Sequence, residues 1–261
     1  MKPIQIRILA LVLLAGMVMA SPAFGYSYYV WGDGAPNWHD ADKTRAHDDD
    51  DAMCWAGAAA NILSWGGWGT ADYQTEDEIF KKINHHMINQ GNYPVIAWKW
   101  WLNGLGKYTK YSVDVPGGGD YWPSYNYSDY YLWGGECWKS LPYISSFLHQ
   151  GYGVTLVVHK YGGGAHALTV WGYDYTGSGR GTDYTGIYVT NSDDYTNQLA
   201  HYSLSWDDAK DKWNLGGGFS GWYAGGVEAL APRPTPAPAA LPLLASGLVG
   251  VWFRKRTPKR D

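Results

Sequence analysis

One cysteine stands where a nucleophile could act. Cys54 precedes a run of strong helix formers, and Ala58, Ile62 and Trp65 follow at the spacing that buries one face of a helix. The sequence therefore predicts that Cys54 lies in the first turn of a buried helix. There, unpaired N–H groups and the positive end of the helix dipole favour a thiolate over a thiol. A buried structural cysteine is the alternative interpretation.

Two later segments supply a base and a third polar group. A glycine-rich turn leads into an apolar strand at His166, which places this histidine at the edge of a cleft. A second strand ends in Asn191 and Asp193, whose side chains could face the histidine of the neighbouring strand. The order of cysteine, histidine, then asparagine or aspartate matches the nucleophile, base and orienting residue of papain-like enzymes. In that chemistry a thiolate attacks a carbonyl carbon and the imidazole protonates the leaving amine, while the third side chain fixes the ring.

These segments together resemble the IdeS-like (Mac-like) family of secreted streptococcal cysteine endopeptidases, which cleave immunoglobulin G. The likeness covers residues 38–66 and 140–195, whereas residues 85–135 do not align. Because the surfaces that set the family's specificity do not align, immunoglobulin is not predicted as the substrate. The shared patterns are Trp38, Asp40, Lys43 and Thr44; Asp50, Asp51 and Cys54; Ala59, Asn61 and Trp65; Val170-Trp-Gly-Tyr-Asp174; and Tyr188-Val-Thr-Asn-Ser-Asp193.

The resemblance implies a papain-like fold and a role for each of five residues. Cys54 would be the nucleophile and His166 the base, while Lys43 would help to bind the oxyanion together with the backbone N–H of Cys54. Asn191 would orient the histidine, with Asp193 close by. Two features depart from the family, since the Lys43-to-Cys54 spacing is one residue longer and the orienting residue is asparagine rather than aspartate. An exposed surface lysine is the alternative for Lys43, and no metal or organic cofactor is implied.

Composition limits the class of partner. The chain of 261 residues has a formal net charge of −4, but its basic residues concentrate at the two ends and leave an acidic middle. Nucleic acid is therefore not expected as a partner, because phosphate binding needs clustered lysine and arginine. A protein or peptide substrate is expected instead. The acidic run at residues 48–51 is interpreted as a solvated loop rather than a cation site, because it lacks the alternating pattern of a calcium loop.

The elements that must position these residues change in type along the chain. A helix is predicted from Cys54, a second after the capping residues Thr75 and Glu78, and a third over residues 140–151. Residues 91–135 are interpreted as long loops with short helical or strand pieces, whose aromatic side chains either line a cleft or cover a loop-rich surface. Strands follow at residues 152–159, 165–172, 186–190, 201–206 and 222–230. Helices followed by strands predict an α+β fold, with N-terminal helices packed on a C-terminal antiparallel sheet.

Both ends of the chain indicate export from the cell. Residues 1–25 have the charged start, apolar core and small-residue end of a signal peptide, which leaves residues 26–231 as the enzyme domain. Residues 232–238 form a Pro-rich linker, and residues 239–261 are predicted to combine a short, apolar transmembrane segment with a basic tail. This tail resembles a PEP-CTERM sorting signal, which implies an exosortase-like enzyme and the surface of a Gram-negative bacterium. The membrane would be contacted only through this C-terminal segment, and a simple membrane anchor is the alternative.

Two observations leave other functions open. The second cysteine, Cys137, is expected to be a free packing residue, because a bridge to Cys54 would remove the nucleophile. A non-catalytic, aromatic-rich binding module for polysaccharide or matrix protein is the main alternative to an enzyme. A thiol-dependent acyltransferase or crosslinking enzyme is a third possibility. The binding module would use five tryptophans as stacking platforms: Trp98, Trp100, Trp101, Trp122 and Trp133.

Overall fold

The computed structural model describes residues 25–44, 50–104, 118–136, 139–177 and 183–235. Within these ranges the chain forms four short α-helices and eight strands. The helices are α1 (Cys54–Trp65), α2 (Glu76–His86), α3 (Pro94–Asn103) and α4 (Ser140–His149). The strands are β1 (Gly25–Tyr29), β2 (Tyr131–Gly135), β3 (Gly153–Lys160), β4 (Ala165–Thr176), β5 (Tyr184–Thr190), β6 (Ala200–Asp207), β7 (Lys212–Leu215) and β8 (Trp222–Leu230).

Six of the described strands close into an antiparallel barrel. The order around it is β4-β3-β8-β7-β6-β5, and β5 pairs back onto β4. Strand β4 is long enough to serve three neighbours, since its first half pairs with β3 and its second half with β1 along the same edge. Strand β2 adds to β8 outside the closed ring. Closure satisfies the backbone hydrogen bonds that an open sheet would leave unpaired at its edges.

The predicted fold class is therefore wrong. The prediction was an α+β, papain-like arrangement with N-terminal helices packed on a C-terminal antiparallel sheet. The described chain is instead mostly β, with a closed six-stranded barrel, two additional strands and four short helices. Alternating hydrophobicity indicates where strands lie but not which strands pair, so the contact between β3 and β8, which are distant in sequence and together close the barrel, carries no local signal.

Three of the four described helices, α1, α2 and α4, begin where the sequence indicates. Helix α1 starts at Cys54, as predicted. Helix α2 has a complete capping box, in which the Thr75 hydroxyl accepts from the Glu78 N–H (3.3 Å) and the Glu78 carboxylate accepts from the Thr75 N–H (3.0 Å). Helix α3 lies in the segment interpreted as loops with short helical or strand pieces, and Pro94 occupies its first turn, where a missing N–H costs nothing.

Two apolar clusters meet along β4. Leu168 and Val170 belong to the cluster inside the barrel, whereas Ala167 and Trp171 belong to the cluster shared with the helices. Both faces of this strand are thus covered, which explains its nearly unbroken apolar sequence. Helix α1 lies on the outer face, and its small residues allow a close approach to the barrel.

A buried carboxyl group joins α3 to the barrel. Glu228 of β8 is 2% exposed, and its carboxylate accepts hydrogen bonds from the Val95 N–H (3.0 Å) and the Tyr131 hydroxyl (3.2 Å). The first of these satisfies an N–H in the first turn of α3, which has no partner within the helix. Burial raises the pKa of Glu228 more than the hydrogen bonds from Val95 and Tyr131 lower it, and the result is a pKa of about 7.

The predictions for the two ends fall mostly outside the described residues. These are the signal segment up to residue 24, the linker from residue 236 and the sorting tail at residues 239–261; Cys137 also lies outside them. Gly25 is the first residue of β1, and the start of the linker packs against the end of α1 through Arg233, whose N–H donates to the Gly66 carbonyl (2.8 Å). None of the helices in the described part of the chain has the length and apolarity that crossing a bilayer requires.

Candidate active site

Helix α1 presents Cys54 at its first residue, beside one end of the barrel. The thiol is free and partly buried. The helix approaches the loop after β5 so closely that a Cβ atom added at Gly57 would lie 2.9 Å from the Cβ of Ser192. Glycine is therefore required at this position of the helix, where alanine would otherwise be favoured. The contact places the nucleophile helix directly against the segment that carries Asn191 and Asp193.

The β4–β5 hairpin brings the histidine and the asparagine together. Thr169 of β4 pairs with Thr190 of β5, so His166 and Asn191 both lie at the same end of the hairpin. Asn191 Oδ1 lies 2.7 Å from His166 Nε2, and both residues are buried. The sequence-based pairing of these two residues therefore matches the geometry. Since Nε2 faces the amide oxygen, Nδ1 is the ring nitrogen left for Cys54.

Aromatic rings cover this histidine. The ring of Phe219 stacks on His166 at a centroid distance of 5.8 Å, and the ring of Trp222 meets it edge-on at 6.5 Å. Tyr202 in turn contacts Phe219 at 4.9 Å. These rings keep water away from the hydrogen bond to Asn191, and a hydrogen bond is stronger where the local dielectric constant is low.

The electrostatics favour a thiolate–imidazolium pair. Burial alone raises the pKa of Cys54, but the hydrogen bond and charge of His166, with a hydrogen bond from the Ala167 backbone, lower it below its ordinary value of 9.0. Burial alone lowers the pKa of His166, but the hydrogen bond and charge of Cys54 raise it above 6.5. Asp193 and Asn191 act in the same direction on the histidine. The thiol thus loses its proton more easily, and the imidazole holds one more strongly.

Lys43 is a buried part of this arrangement. Its side chain is 3% exposed, so the alternative of an exposed surface lysine is wrong. The ammonium group lies 2.8 Å from Asp193 Oδ1 and donates to the carbonyl of Asp51 at 2.5 Å. The other carboxylate oxygen of Asp193, Oδ2, lies 3.7 Å from His166 Nδ1. Lys43 therefore links the residues just before Cys54 to the carboxylate that faces the imidazole.

A buried asparagine locks the three supporting elements together. Asn61 is 1% exposed, and its Oδ1 accepts from the Ala41 N–H (2.7 Å). Its Nδ2 donates to the hydroxyls of Thr169 (3.0 Å) and Thr190 (3.3 Å). The hydroxyl of Thr190 also accepts from the indole N–H of Trp171 (2.9 Å). The elements α1, β4 and β5, which carry the thiol, the imidazole and the amide, are therefore joined through a single side chain.

Two cavities meet at the thiol and the imidazole. Both are lined by Cys54 and His166, together with Gly91 and Ala165, so they form one continuous cleft. The first, of about 170 Å³, is also lined by Asn92, Tyr93, Val157, His159 and Ala167. The second, of about 520 Å³, is also lined by Asp51, Ala52, Asn191, Asp193, Tyr202, Gly218, Phe219 and Trp222.

The structure brings together all five residues that the sequence indicated: Cys54, His166, Asn191, Lys43 and Asp193. It adds Asn61, for which the signal is a polar side chain on the buried face of an apolar helix, and the aromatic cover of His166, for which the sequence offers no spacing rule. The five tryptophans assigned to a binding platform differ in exposure, and Trp122 is half-buried. Trp98, Trp100 and Trp101 lie in the core, whereas Trp133 is 45% exposed.

Comparison with known proteins does not assign a family. No protein-family model matches the chain, and a search of the curated proteins finds no match. The resemblance of the active-site segments to the IdeS-like family, and that of the tail to a sorting signal, therefore stay predictions.

Proposed function

We propose that the protein is a cysteine-type endopeptidase that hydrolyses peptide bonds through a thioester acyl-enzyme. The observation that carries this proposal is a thiol of lowered pKa that interacts with an imidazole, which in turn faces an amide oxygen at 2.7 Å. Two adjoining cavities that both reach Cys54 and His166 support cleavage within a polypeptide, because they offer space for substrate residues beyond the reacting bond.

Each group has a role in the proposed reaction. The Cys54 thiolate attacks the carbonyl carbon of the substrate and forms a tetrahedral intermediate. His166 then gives its Nδ1 proton to the leaving amine, and a thioester remains on Cys54. The neutral imidazole next removes a proton from water, which attacks the thioester and releases the acid. Throughout, Asn191 holds the ring by accepting from Nε2–H.

The negative charge on the substrate oxygen needs hydrogen-bond donors. As the first residue of α1, Cys54 has a backbone N–H without a partner inside its helix, and this group lies at the positive end of the helix dipole. Lys43 is the second donor in this proposal. Its ammonium group carries three hydrogens, of which the contacts with Asp193 and the Asp51 carbonyl use two.

Features outside the site support an exported protease rather than a binding module. The signal-like start and the sorting-like tail support an exported enzyme with a protein or peptide substrate, handled at the surface of a Gram-negative cell by an exosortase-like enzyme. The burial of Trp98, Trp100 and Trp101 weighs against the aromatic binding module, because rings in the core cannot stack on a ligand.

The proposal is tested by separating thiol reactivity from peptide hydrolysis. A thiol-directed electrophile should label Cys54 at neutral pH, and release of fluorescence from a mixed library of internally quenched peptides should be lost in Cys54→Ala. Cys137→Ser is the matched control and should keep both properties. Persistent hydrolysis by Cys54→Ala, or labelling of Cys137 in preference to Cys54, would show that the proposed nucleophile is wrong.

A further inference from the structure

Three carboxylates converge beside the active site but take no part in the chemistry described above. Asp40 and Asp42 lie on the segment that leads to Lys43, and Asp194 follows Asp193. One oxygen from each of the three lies within 4.8 Å of the others. The two segments run side by side, since the Lys43 N–H donates to the carbonyl of Ser192 (2.9 Å).

The most buried of these carboxylates lacks the partners that its burial demands. Asp40 is 7% exposed, and neither of its carboxylate oxygens has a hydrogen-bond partner among the described residues. The backbone N–H of Gln198 approaches it, but this N–H donates to the carbonyl of Thr196 at 2.7 Å. A buried carboxylate without partners is costly unless a cation or a proton neutralises it.

The charged groups that act most strongly on Asp40 increase the cost of burying its carboxylate. Burial, together with the charges of Asp42, Asp194 and Glu76, raises the pKa of Asp40 to about 8, and among the groups that act on it most strongly only the Gln198 N–H lowers it. His39, the residue before Asp40, is already paired with Glu76, with its Nδ1 2.7 Å from the carboxylate.

We propose that Asp40, Asp42 and Asp194 bind a divalent cation of the Ca²⁺ type. The three groups offer only oxygen atoms, which Ca²⁺ and Mg²⁺ prefer over the nitrogen and sulfur ligands of zinc. Oxygens on opposite sides of a Ca²⁺ ion lie about 4.6–5.2 Å apart, so a span of up to 4.8 Å suits this ion without rearrangement. Water and backbone carbonyl groups would complete the six to eight ligands that Ca²⁺ takes.

One ligand is already held in position. Asp194 Oδ1 accepts from both the N–H (3.0 Å) and the hydroxyl (2.8 Å) of Thr196, which fixes the carboxylate on its loop. A cation here would join the segment before Lys43 to the segment after Asn191. It would therefore stabilise the same two segments that the Lys43–Asp193 ion pair connects.

Binding is tested on the purified protein after removal of metal with a chelator. Titration calorimetry with calcium chloride should show one site with a Kd of about 10⁻⁶–10⁻³ M, and Asp40→Asn and Asp194→Asn should each weaken it at least about tenfold. Asp72→Asn, which removes an exposed carboxylate elsewhere, is the matched control and should bind as the wild type does. Absence of binding up to about 10 mM, or equal affinity in Asp40→Asn, would overturn the proposal.

Thermal unfolding provides a readout that is independent of heat signals. At Ca²⁺ concentrations of about 100 times Kd, the Tm of the wild type should rise by about 5–10 °C, and that of Asp40→Asn should not change. Without Ca²⁺, Asp40→Asn should be at least as stable as the wild type, because it removes a buried acid from like-charged neighbours. The same Ca²⁺-dependent rise in both proteins would place the bound ion elsewhere and reject the site.

Discussion

Replacement of Asp193 by asparagine separates the charge of this residue from its shape. Asp193 Oδ2 lies 3.7 Å from His166 Nδ1, and its negative charge raises the pKa of both His166 and Cys54. Asparagine keeps an oxygen that can accept from the Lys43 ammonium, which otherwise would lose its side-chain partner. The variant Asp193→Asn should therefore fold and shift both pKa values of the thiol–imidazole pair to lower pH.

The size of this shift follows from the distance and the exposure. Asp193 is 41% exposed and lies 2.8 Å from the positively charged Lys43, so the dielectric constant of water is the appropriate choice. At 3.7 Å, one unit charge then acts on another with about 1 kcal/mol, which corresponds to about 0.8 pH units. The direction is the same for both groups, because loss of a negative charge favours the thiolate and disfavours the imidazolium.

The assay is the rate of alkylation by iodoacetamide as a function of pH, measured in a Cys137→Ser background so that Cys54 alone reports. Two steps are expected: the first marks formation of the thiolate beside the imidazolium, and the second marks loss of the imidazolium proton. Both should move to lower pH in Asp193→Asn, whereas Asp208→Asn, an exposed control, should leave them in place. A shift to higher pH, or movement of only one step, would refute the electrostatic reasoning.

Three further predictions concern orientation, packing and stability. Asn191→Ala should lower kcat for peptide hydrolysis by about 10²-fold with little change in KM, while Asn191→Asp should keep activity. If kcat of Asn191→Ala were normal, the orienting role would have to be assigned to Asp193. Gly57→Ala should reduce peptide hydrolysis, because the added methyl group would displace Ser192, even though alanine favours a helix more than glycine does. Steady-state kinetics measure the activity, and circular dichroism checks the fold. Unchanged activity in a folded variant would contradict the prediction. Glu228 has a pKa of about 7 when folded and about 4.5 when unfolded, so the folded state binds the proton more tightly and stability falls as pH rises from 4.5 to 7. Glu228→Gln should remove this loss, so at pH 8 its free energy of unfolding in urea should exceed that of the wild type by up to about 3 kcal/mol. If the free energy of unfolding changed between pH 5 and pH 8 by the same amount in both proteins, the prediction would be contradicted.

The sequence was informative where a signal is local. The start of α1 at Cys54, the capping box at Thr75 and the entry into β4 before His166 each depend on residues a few positions apart. The candidate site was predictable for a related reason. Polar residues at the ends of strands and helices have few structural roles, so the sequence alone could predict that Asn191 and Asp193 lie beside His166.

The fold class was wrong because the pairing that closes the barrel, between β3 and β8, joins strands that are distant in sequence. A short strand was also missed. Strand β7 has four residues in a stretch rich in lysine and aspartate, and its place between β6 and β8 depends on partners on both sides. Helix α3 lies in an aromatic segment that looks like loop, because Trp98, Trp100 and Trp101 are buried on several sides of one short helix. A helix that is apolar all round shows no periodicity from which it could be recognised.

The distribution of the site along the chain has a consequence for the order of folding. The imidazole and the amide belong to one hairpin and lie 25 residues apart in sequence, whereas Asn61 connects α1 to Thr169 and Thr190 across 108 and 129 residues. Contacts between distant segments form more slowly than local ones, since their loop-closure entropy must be overcome first. The hairpin is therefore expected to assemble early, and the nucleophile to join it only when α1 docks on the closed barrel. On the proposed function, a newly made chain would stay inactive until this late step, which would protect its still unfolded neighbours from being cut.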